Sequence, residues 1–167
     1  MKKHIKITAE KARNCDDPME MIDPLWWSVS IYDSYEKYIS DLKPFTMPQR
    51  YVFAMMWYAA EVENGGHDQF FSNSTGIVWE DALNGFKEIG CENCRDILSE
   101  AAKRMGGKPS FVRAERWQQE DELEPDFEDL DDRFYDESNN YAENIIEYIK
   151  TNAESFVFDG EIDFPFD

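Results

Sequence analysis

Residues 46–66 have the sequence TMPQRYVFAMMWYAAEVENGG, which predicts a central helix. Thr46 is a favourable N-cap residue, and Pro48 suits the first helical turn. The helix predicted from Pro48 to Glu63 is apolar on most sides, as expected for a helix surrounded by others. Its apolar positions are Val52, Phe53, Met55, Met56, Trp57, Ala59 and Ala60. Asn64-Gly65-Gly66 should end it, because glycine adopts left-handed conformations at low cost.

Apolar residues at helical spacing predict further helices on both sides. Pro24 should open a helix over Leu25–Leu42. The helices expected after the central one are Asp68–Asn73, Val78–Ile89, Cys91–Met105, one following Pro109, one carrying Phe127, Leu130 and Phe134, and one near Tyr141–Lys150. The acidic-aromatic tail, residues 152–167, predicts a short strand or extended segment. We therefore predict a single-domain, all-α helical bundle over residues 1–167.

The composition is strongly acidic. The 167 residues include 36 Asp and Glu against 17 Lys and Arg, a net charge of −19, and 42% are hydrophobic, which is ample for a core. Residues 110–167 hold 19 acidic and only 4 basic side chains. Such a surface repels nucleic acid and anionic membranes and attracts basic proteins. We therefore exclude direct nucleic-acid binding and expect a basic protein partner.

The cysteines and the start of the chain predict a cytoplasmic protein. Cys15, Cys91 and Cys94 are an odd set, which is typical of a reducing compartment. The charged beginning, MKKHIKITAEKARNCDD, lacks the apolar stretch of a signal peptide. The chain contains no run of 18 apolar residues, which a membrane-spanning helix would need.

The acidic segment, residues 120–137, predicts a binding surface. Eleven of its 18 residues are acidic. Duplex DNA has about one charge per 1.7 Å of axis, and a helix rises about 1.5 Å per residue, so helical carboxylates can approach the density of phosphates. The simpler interpretation is a solvated acidic face. The carboxylates predicted to bind a partner are Asp121, Glu122, Asp126, Glu128, Asp129, Asp131, Asp132, Asp136 and Glu137.

A motif beside the central helix resembles a known family. The stretch EVENGGHDQFFSNS, residues 61–74, and the later LDDRFY, residues 130–135, are similar to the bacterial DNA-mimic protein family, with the resemblance covering residues 25–151. His67 and Ser72 stand where that family is expected to have Phe and Tyr. The resemblance implies an all-helical homodimer. In the characterised example, carboxylates imitate DNA phosphates and occupy the DNA-binding surface of a transcription factor.

The motif itself predicts structure rather than chemistry. We expect Glu61, Asn64, Gln69 and Asn73 to hydrogen-bond one helix end to the next, with Phe70 and Phe71 in the core. Gly65 and Gly66 would form the turn beside Asp68, with a positive φ at one or both. The alternative is a small-molecule site or an enzyme that uses Asn64, Gln69 and Asn73.

Other chemical sites are not predicted. Cys91-x-x-Cys94 lacks the strand that precedes a thioredoxin motif, and few other ligands are available to complete a zinc site. The segment DLDDRFYDESNN lacks the glycine and spacing of a helix-loop-helix calcium site. Arg113, Arg116 and Arg133 should pair with neighbouring carboxylates. We predict no catalytic residues, metal or cofactor.

The sequence thus predicts a protein that occupies the nucleic-acid-binding face of a basic protein. An immunity or antitoxin protein that neutralises a basic toxin would have the same chemistry. We expect Glu128, Asp129, Asp131 and Asp132 to be exposed. The side chains expected to be buried are Phe53, Met56, Phe70, Phe71, Leu83, Leu98, Leu130 and Phe134.

Overall fold

A long, kinked helix lies at the centre of the protein. The computed structural model describes residues 1–165, without the side chains of residues 137–139. The central helix, α4, runs from Met47 to Ser72, and Thr46 and Gln49 form a capping box at its start. The predicted end at Gly65-Gly66 is a kink instead, with φ of +74° at Gly66 and −156° at Gly65. The predicted positive φ is therefore present at one of the two glycines.

The remaining elements surround α4. In chain order the structure contains strand β1 (Lys2–Ile7), helices α1 (Ala9–Arg13), α2 (Pro18–Ser28), α3 (Tyr35–Leu42), α4, α5 (Trp79–Glu88), α6 (Glu92–Arg104), α7 (Arg113–Leu123) and α8 (Glu128–Thr151), and strand β2 (Phe158–Asp163). Short 3-10 turns follow α4 and α8 at Ser74–Val78 and Ala153–Phe156. Helix α4 packs against α2, α5, α7 and α8. The predicted all-α fold is confirmed, with one small sheet.

The sheet joins the two ends of the chain. Strands β1 and β2 pair antiparallel, with Lys2 opposite Asp163 and Lys6 opposite Asp159. The tail was expected to be extended, but its partner strand at the N-terminus was not predicted. Only Ile5 and Ile7 of β1 are buried, and its lysines are exposed. The alternation that marks a half-buried strand is therefore confined to a few residues.

Other predicted helix boundaries were also wrong. Residues 25–42 contain the end of α2 and all of α3, separated by a turn in which the backbone N–H of Ser30 donates to Asp41. Pro24 lies inside α2, which begins at Pro18 with Asp17 as its N-cap. The two helices expected after Pro125 are one helix, α8, because no proline or glycine interrupts it.

Most of the predicted core is buried. Phe53, Phe70, Phe71, Leu98, Leu130 and Phe134 have exposures of 0%. Met56 and Leu83 are only half-buried, contrary to expectation, and pack against the edge of the core. In the described part of the chain, no helix combines the length and apolar character needed to cross a membrane.

Candidate partner-binding surface

Asp131 joins the acidic helix α8 to the kink of α4. Its Oδ1 accepts hydrogen bonds from the backbone N–H of His67, at 2.9 Å, and from the His67 ring, with Nδ1 at 2.5 Å. The other ring nitrogen of His67 is 2.7 Å from the hydroxyl of Tyr58, and both rings are fully buried. A Cβ on Gly66 would lie 2.3 Å from Oδ2 of Asp131, so only glycine fits here.

The polar side chains of the motif bind one another across the kink. Glu61 accepts hydrogen bonds from Gln69, at 2.7 Å, and from Asn73, at 3.1 Å. Asn64 donates to the side-chain oxygen of Gln69 at 3.1 Å. The predicted hydrogen bonds are thus present, and much of the polar capacity of these side chains is used inside the protein.

Arg116 fixes α7 to the end of α4. Its guanidinium is fully buried and donates to three backbone carbonyls, those of Phe71, Asn73 and Ser110, at 2.7 to 2.8 Å. The expectation that Arg116 pairs with carboxylates was wrong, because the unsatisfied carbonyls at a helix C-terminus attract a cation. Burial lowers the pKa of Arg116 to about 10. Gly76 leaves room for it, since a Cβ there would lie 2.5 Å from Nε.

Neither of the other two arginines forms the predicted ion pair with a carboxylate whose side chain the structure describes. Arg113 donates to the carbonyl of Ser72 at 2.8 Å and lies over the ring of Trp117. Arg133 is exposed and makes no ion pair with another described residue. The arginine that does bind the acidic segment is Arg104 on α6, which holds Asp129 through two bonds of 2.6 and 2.9 Å. This pair could not be predicted from the sequence, because its two residues are 25 positions apart.

Eight of the nine predicted carboxylates have described side chains, and these eight divide into two groups. Asp126, Asp129 and Asp131 have partners within the chain: Asp126 accepts from the backbone N–H of Glu128 at 3.0 Å, at the start of α8. Asp131 is half-buried, so the expectation that it is exposed was wrong. Those that are exposed without an ion pair to a described residue are Asp121, Glu122, Glu128, Asp132 and Asp136. The side chain of Glu137 lies outside the described residues.

Because α8 is one continuous helix, the exposed acidic surface extends past residue 137. Glu143 and Glu147 are also exposed and unpaired within the described part of the chain. With Glu128, Asp132 and Asp136 they fall within an arc of about 100°, opposite the buried Leu130 and Ile145. We call these five carboxylates the acidic stripe. Sequence reasoning missed Glu143 and Glu147 because it divided α8 into two helices, although their spacing was a usable signal.

Carboxylates also crowd the junction between α4, α7 and α8. Burial, followed by the nearby Asp131 and Asp126, raises the pKa of Asp68. Burial also raises the pKa of Glu120, which accepts hydrogen bonds from the hydroxyl of Ser72 at 2.9 and 3.0 Å. By contrast, Arg104 lowers the pKa of Asp129. A cationic group placed beside Asp68 and Glu120 would offset the repulsion between the carboxylates at this junction.

Two further features of the fold are a pair of buried cysteines and a surface groove. Cys91 and Cys94 are buried, and no group of three or more metal-binding side chains occurs among the described residues. A groove of about 480 Å³ lies between β1 and α2, lined by Lys6, Trp26 and Trp27 among others. It is remote in sequence from Asn64, Gln69 and Asn73, which do not line it.

The comparisons with known proteins identify a family. No curated protein and no solved structure matches the chain. The family model of the DMP19-like protein matches residues 43–152, which contain α4 to α8 and therefore the kink, the motif and the acidic stripe. Residues 25–42, included in the resemblance, fall outside the match. Because the match covers about two thirds of the chain, the protein belongs to the DMP19-like family.

Proposed function

We propose that this protein binds a basic protein and occupies the surface with which that protein contacts nucleic acid. The proposed role is binding rather than catalysis, without a metal or cofactor. Membership of the DMP19-like family supports a DNA-mimic role in general. The observation that carries the proposal is the acidic stripe, whose carboxylates have no partner among the described residues.

The geometry of the stripe suits a row of cationic side chains. From Glu128 to Glu147 it extends about 29 Å along α8, with an average of about 7 Å between carboxylates. Phosphates on one DNA strand are spaced about 3.4 Å along the axis, so the stripe alone has about half their density. Asp121 and Glu122, on the last turn of α7, add further charge. Because the opposite face of α8 is buried against the core, the helix that carries the acidic stripe is held in a fixed position.

A basic toxin or nuclease would fit the same surface, since its cationic cleft also binds nucleic acid. The identity of the partner separates the two roles. Capture of a transcriptional regulator would support mimicry, whereas capture of a nuclease that loses activity when bound would support immunity.

The experiment compares two variants that each lose three negative charges. The stripe variant carries Glu128→Gln, Asp132→Asn and Asp136→Asn. The control carries Glu10→Gln, Asp16→Asn and Glu36→Gln, at exposed positions outside the stripe. Asp129 and Asp131 are left unchanged because of their bonds to Arg104 and His67. The wild-type protein first captures its partner from a lysate at low salt, and the affinity of each form for that partner is then measured at two salt concentrations.

We expect the stripe variant to bind the partner about tenfold more weakly at low salt, because three exposed ion pairs contribute about 0.5 kcal/mol each. The control should bind as the wild type does. The on-rate should change more than the off-rate, and DNA should compete for the partner. Affinity that is insensitive to salt and to the stripe substitutions, or DNA that binds at the same time, would contradict the proposal.

A further inference from the structure

Trp117 differs from the other tryptophans in its exposure. Trp26, Trp27 and Trp57 are half-buried and Trp79 is buried, whereas Trp117 on α7 is 46% exposed. A large aromatic side chain in contact with water is a favourable hot spot for a partner, and tryptophan is enriched at such positions.

The ring of Trp117 is held in place before any partner arrives. Its Nε1–H donates to the carbonyl of Ser72 at 2.8 Å. The guanidinium of Arg113 lies 4.9 Å from the ring centre and is itself fixed by a 2.8 Å bond to the same carbonyl. A ring fixed along one edge and one face loses little conformational entropy on binding.

Negative charge lies beside Trp117 on α7. Side chains on a helix lean towards its N-terminus, so Arg113, one turn earlier, covers the face on that side. Glu120 and Asp121 follow three and four residues later, so they are neighbours of Trp117 on the same side of α7. Asp121 is exposed, and Glu120 is half-buried beside Ser72.

We propose that the uncovered face of Trp117 binds an arginine side chain of the basic partner, whose guanidinium pairs with Asp121 and Glu120. Arginine suits this position better than lysine, because its planar group stacks on an aromatic face while donating to a carboxylate. This inference rests on the proposed function and makes it more specific. Phosphates offer no aromatic face, so Trp117 would select among basic proteins by the position of one arginine.

The test uses an oligoarginine and an oligolysine peptide of equal length as probes. Trp117→Leu removes the ring, while Leu123→Ala, at a side chain that is 49% exposed on the same helix, is the matched control. We expect Trp117→Leu to weaken oligoarginine binding about three- to thirtyfold and oligolysine binding less. The salt dependence should stay unchanged, since no charge is removed. Circular dichroism establishes that each variant is folded.

A second measurement does not depend on the folding of the leucine variant. The ring signals of Trp117 in the NMR spectrum of the wild type, assigned by their loss in Trp117→Phe, should shift when oligoarginine is added. Peptide binding without such a shift, or equal affinity of wild type and Trp117→Leu, overturns the inference. If the stripe variant then still weakens partner binding, only the role of Trp117 is refuted. If the stripe variant also binds its partner normally, the proposed function is refuted as well.

Discussion

Asp131 and Asp132 are adjacent acidic residues, but the structure predicts a large loss of stability when Asp131 is substituted and almost none for Asp132. Asp131 accepts two hydrogen bonds from the buried His67, while Asp132 is exposed and unpaired within the described residues. Asp131→Ala removes the acceptor of a buried backbone N–H and of a buried ring nitrogen. Asp132→Ala removes only a charge from a crowded surface.

The expected loss of stability follows from the two donors left without a partner. Each buried, unsatisfied donor costs about 1–3 kcal/mol. The side chain of Asp131 is 19% exposed, so water can reach part of the vacated space, and we expect a total of about 2–4 kcal/mol. Asp131→Asn keeps an acceptor oxygen but loses the charge-assisted bonds, and should lose about 1–2 kcal/mol. Asp132→Ala should change stability by less than about 0.5 kcal/mol.

Urea denaturation followed by far-ultraviolet circular dichroism measures these differences as free energies of unfolding. In thermal unfolding, a loss of about 3 kcal/mol corresponds to about 6–12 °C for a domain of this size. An Asp131→Ala protein that unfolds at the same urea concentration as Asp132→Ala would refute the assignment of Asp131 to the core. If the Asp131→Asn protein also kept full stability but no longer bound the partner protein, Asp131 would belong to the binding surface, as the sequence first suggested.

Two further predictions concern α7 and its surroundings. Arg116→Met should lower the free energy of unfolding by about 3–5 kcal/mol in the same assay, because three carbonyls lose their donor. Arg113→Gln, at an exposed position, should lower it by less than about 1 kcal/mol. Equal losses in the two variants would contradict the role of Arg116. Because the pKa values of Asp68 and Glu120 are raised by folding, their contribution to stability is present at low pH and is lost as the pH rises through the folded pKa values. The free energy of unfolding should therefore fall as the pH rises through these pKa values, and a protein with Asp68→Asn and Glu120→Gln should show a smaller fall. If the double variant and the wild type show the same dependence of this free energy on pH, the prediction is contradicted.

Local sequence signals predicted the middle of the fold well. Glycines follow the ends of α5 and α6, and both helices lie within one or two residues of their predicted bounds. The hydrogen bonds among Glu61, Gln69 and Asn73 were also predictable, because these residues are only 8 and 12 positions apart and flank the Gly65-Gly66 turn. A straight helix would separate these side chains by about 12 and 18 Å along its axis, so the contacts depend on the kink, which the Asn-Gly-Gly motif marks in the sequence.

Contacts between distant parts of the chain were the ones that sequence reasoning missed. Strand β1 pairs with a segment at the opposite end of the chain. Arg116 lies 45 residues from Phe71, and His67 lies 64 residues from Asp131. For Arg116, the charge of the segment favoured carboxylate partners, whereas the unsatisfied carbonyls at the end of α4 became visible only when α7 was placed beside them.

The spacing of α8 nevertheless contained a signal that Asp131 differs from its neighbours. It follows Phe127 by four residues and precedes Phe134 by three, so it shares a side of the helix with two buried rings. Asp132 is shifted by a further 100° or so and faces water. A run of acidic residues on a helix therefore cannot act as a uniform imitation of phosphates. The helical period assigns some carboxylates to packing and others to the surface, and in this chain the acidic stripe is the part that the fold leaves available to a partner.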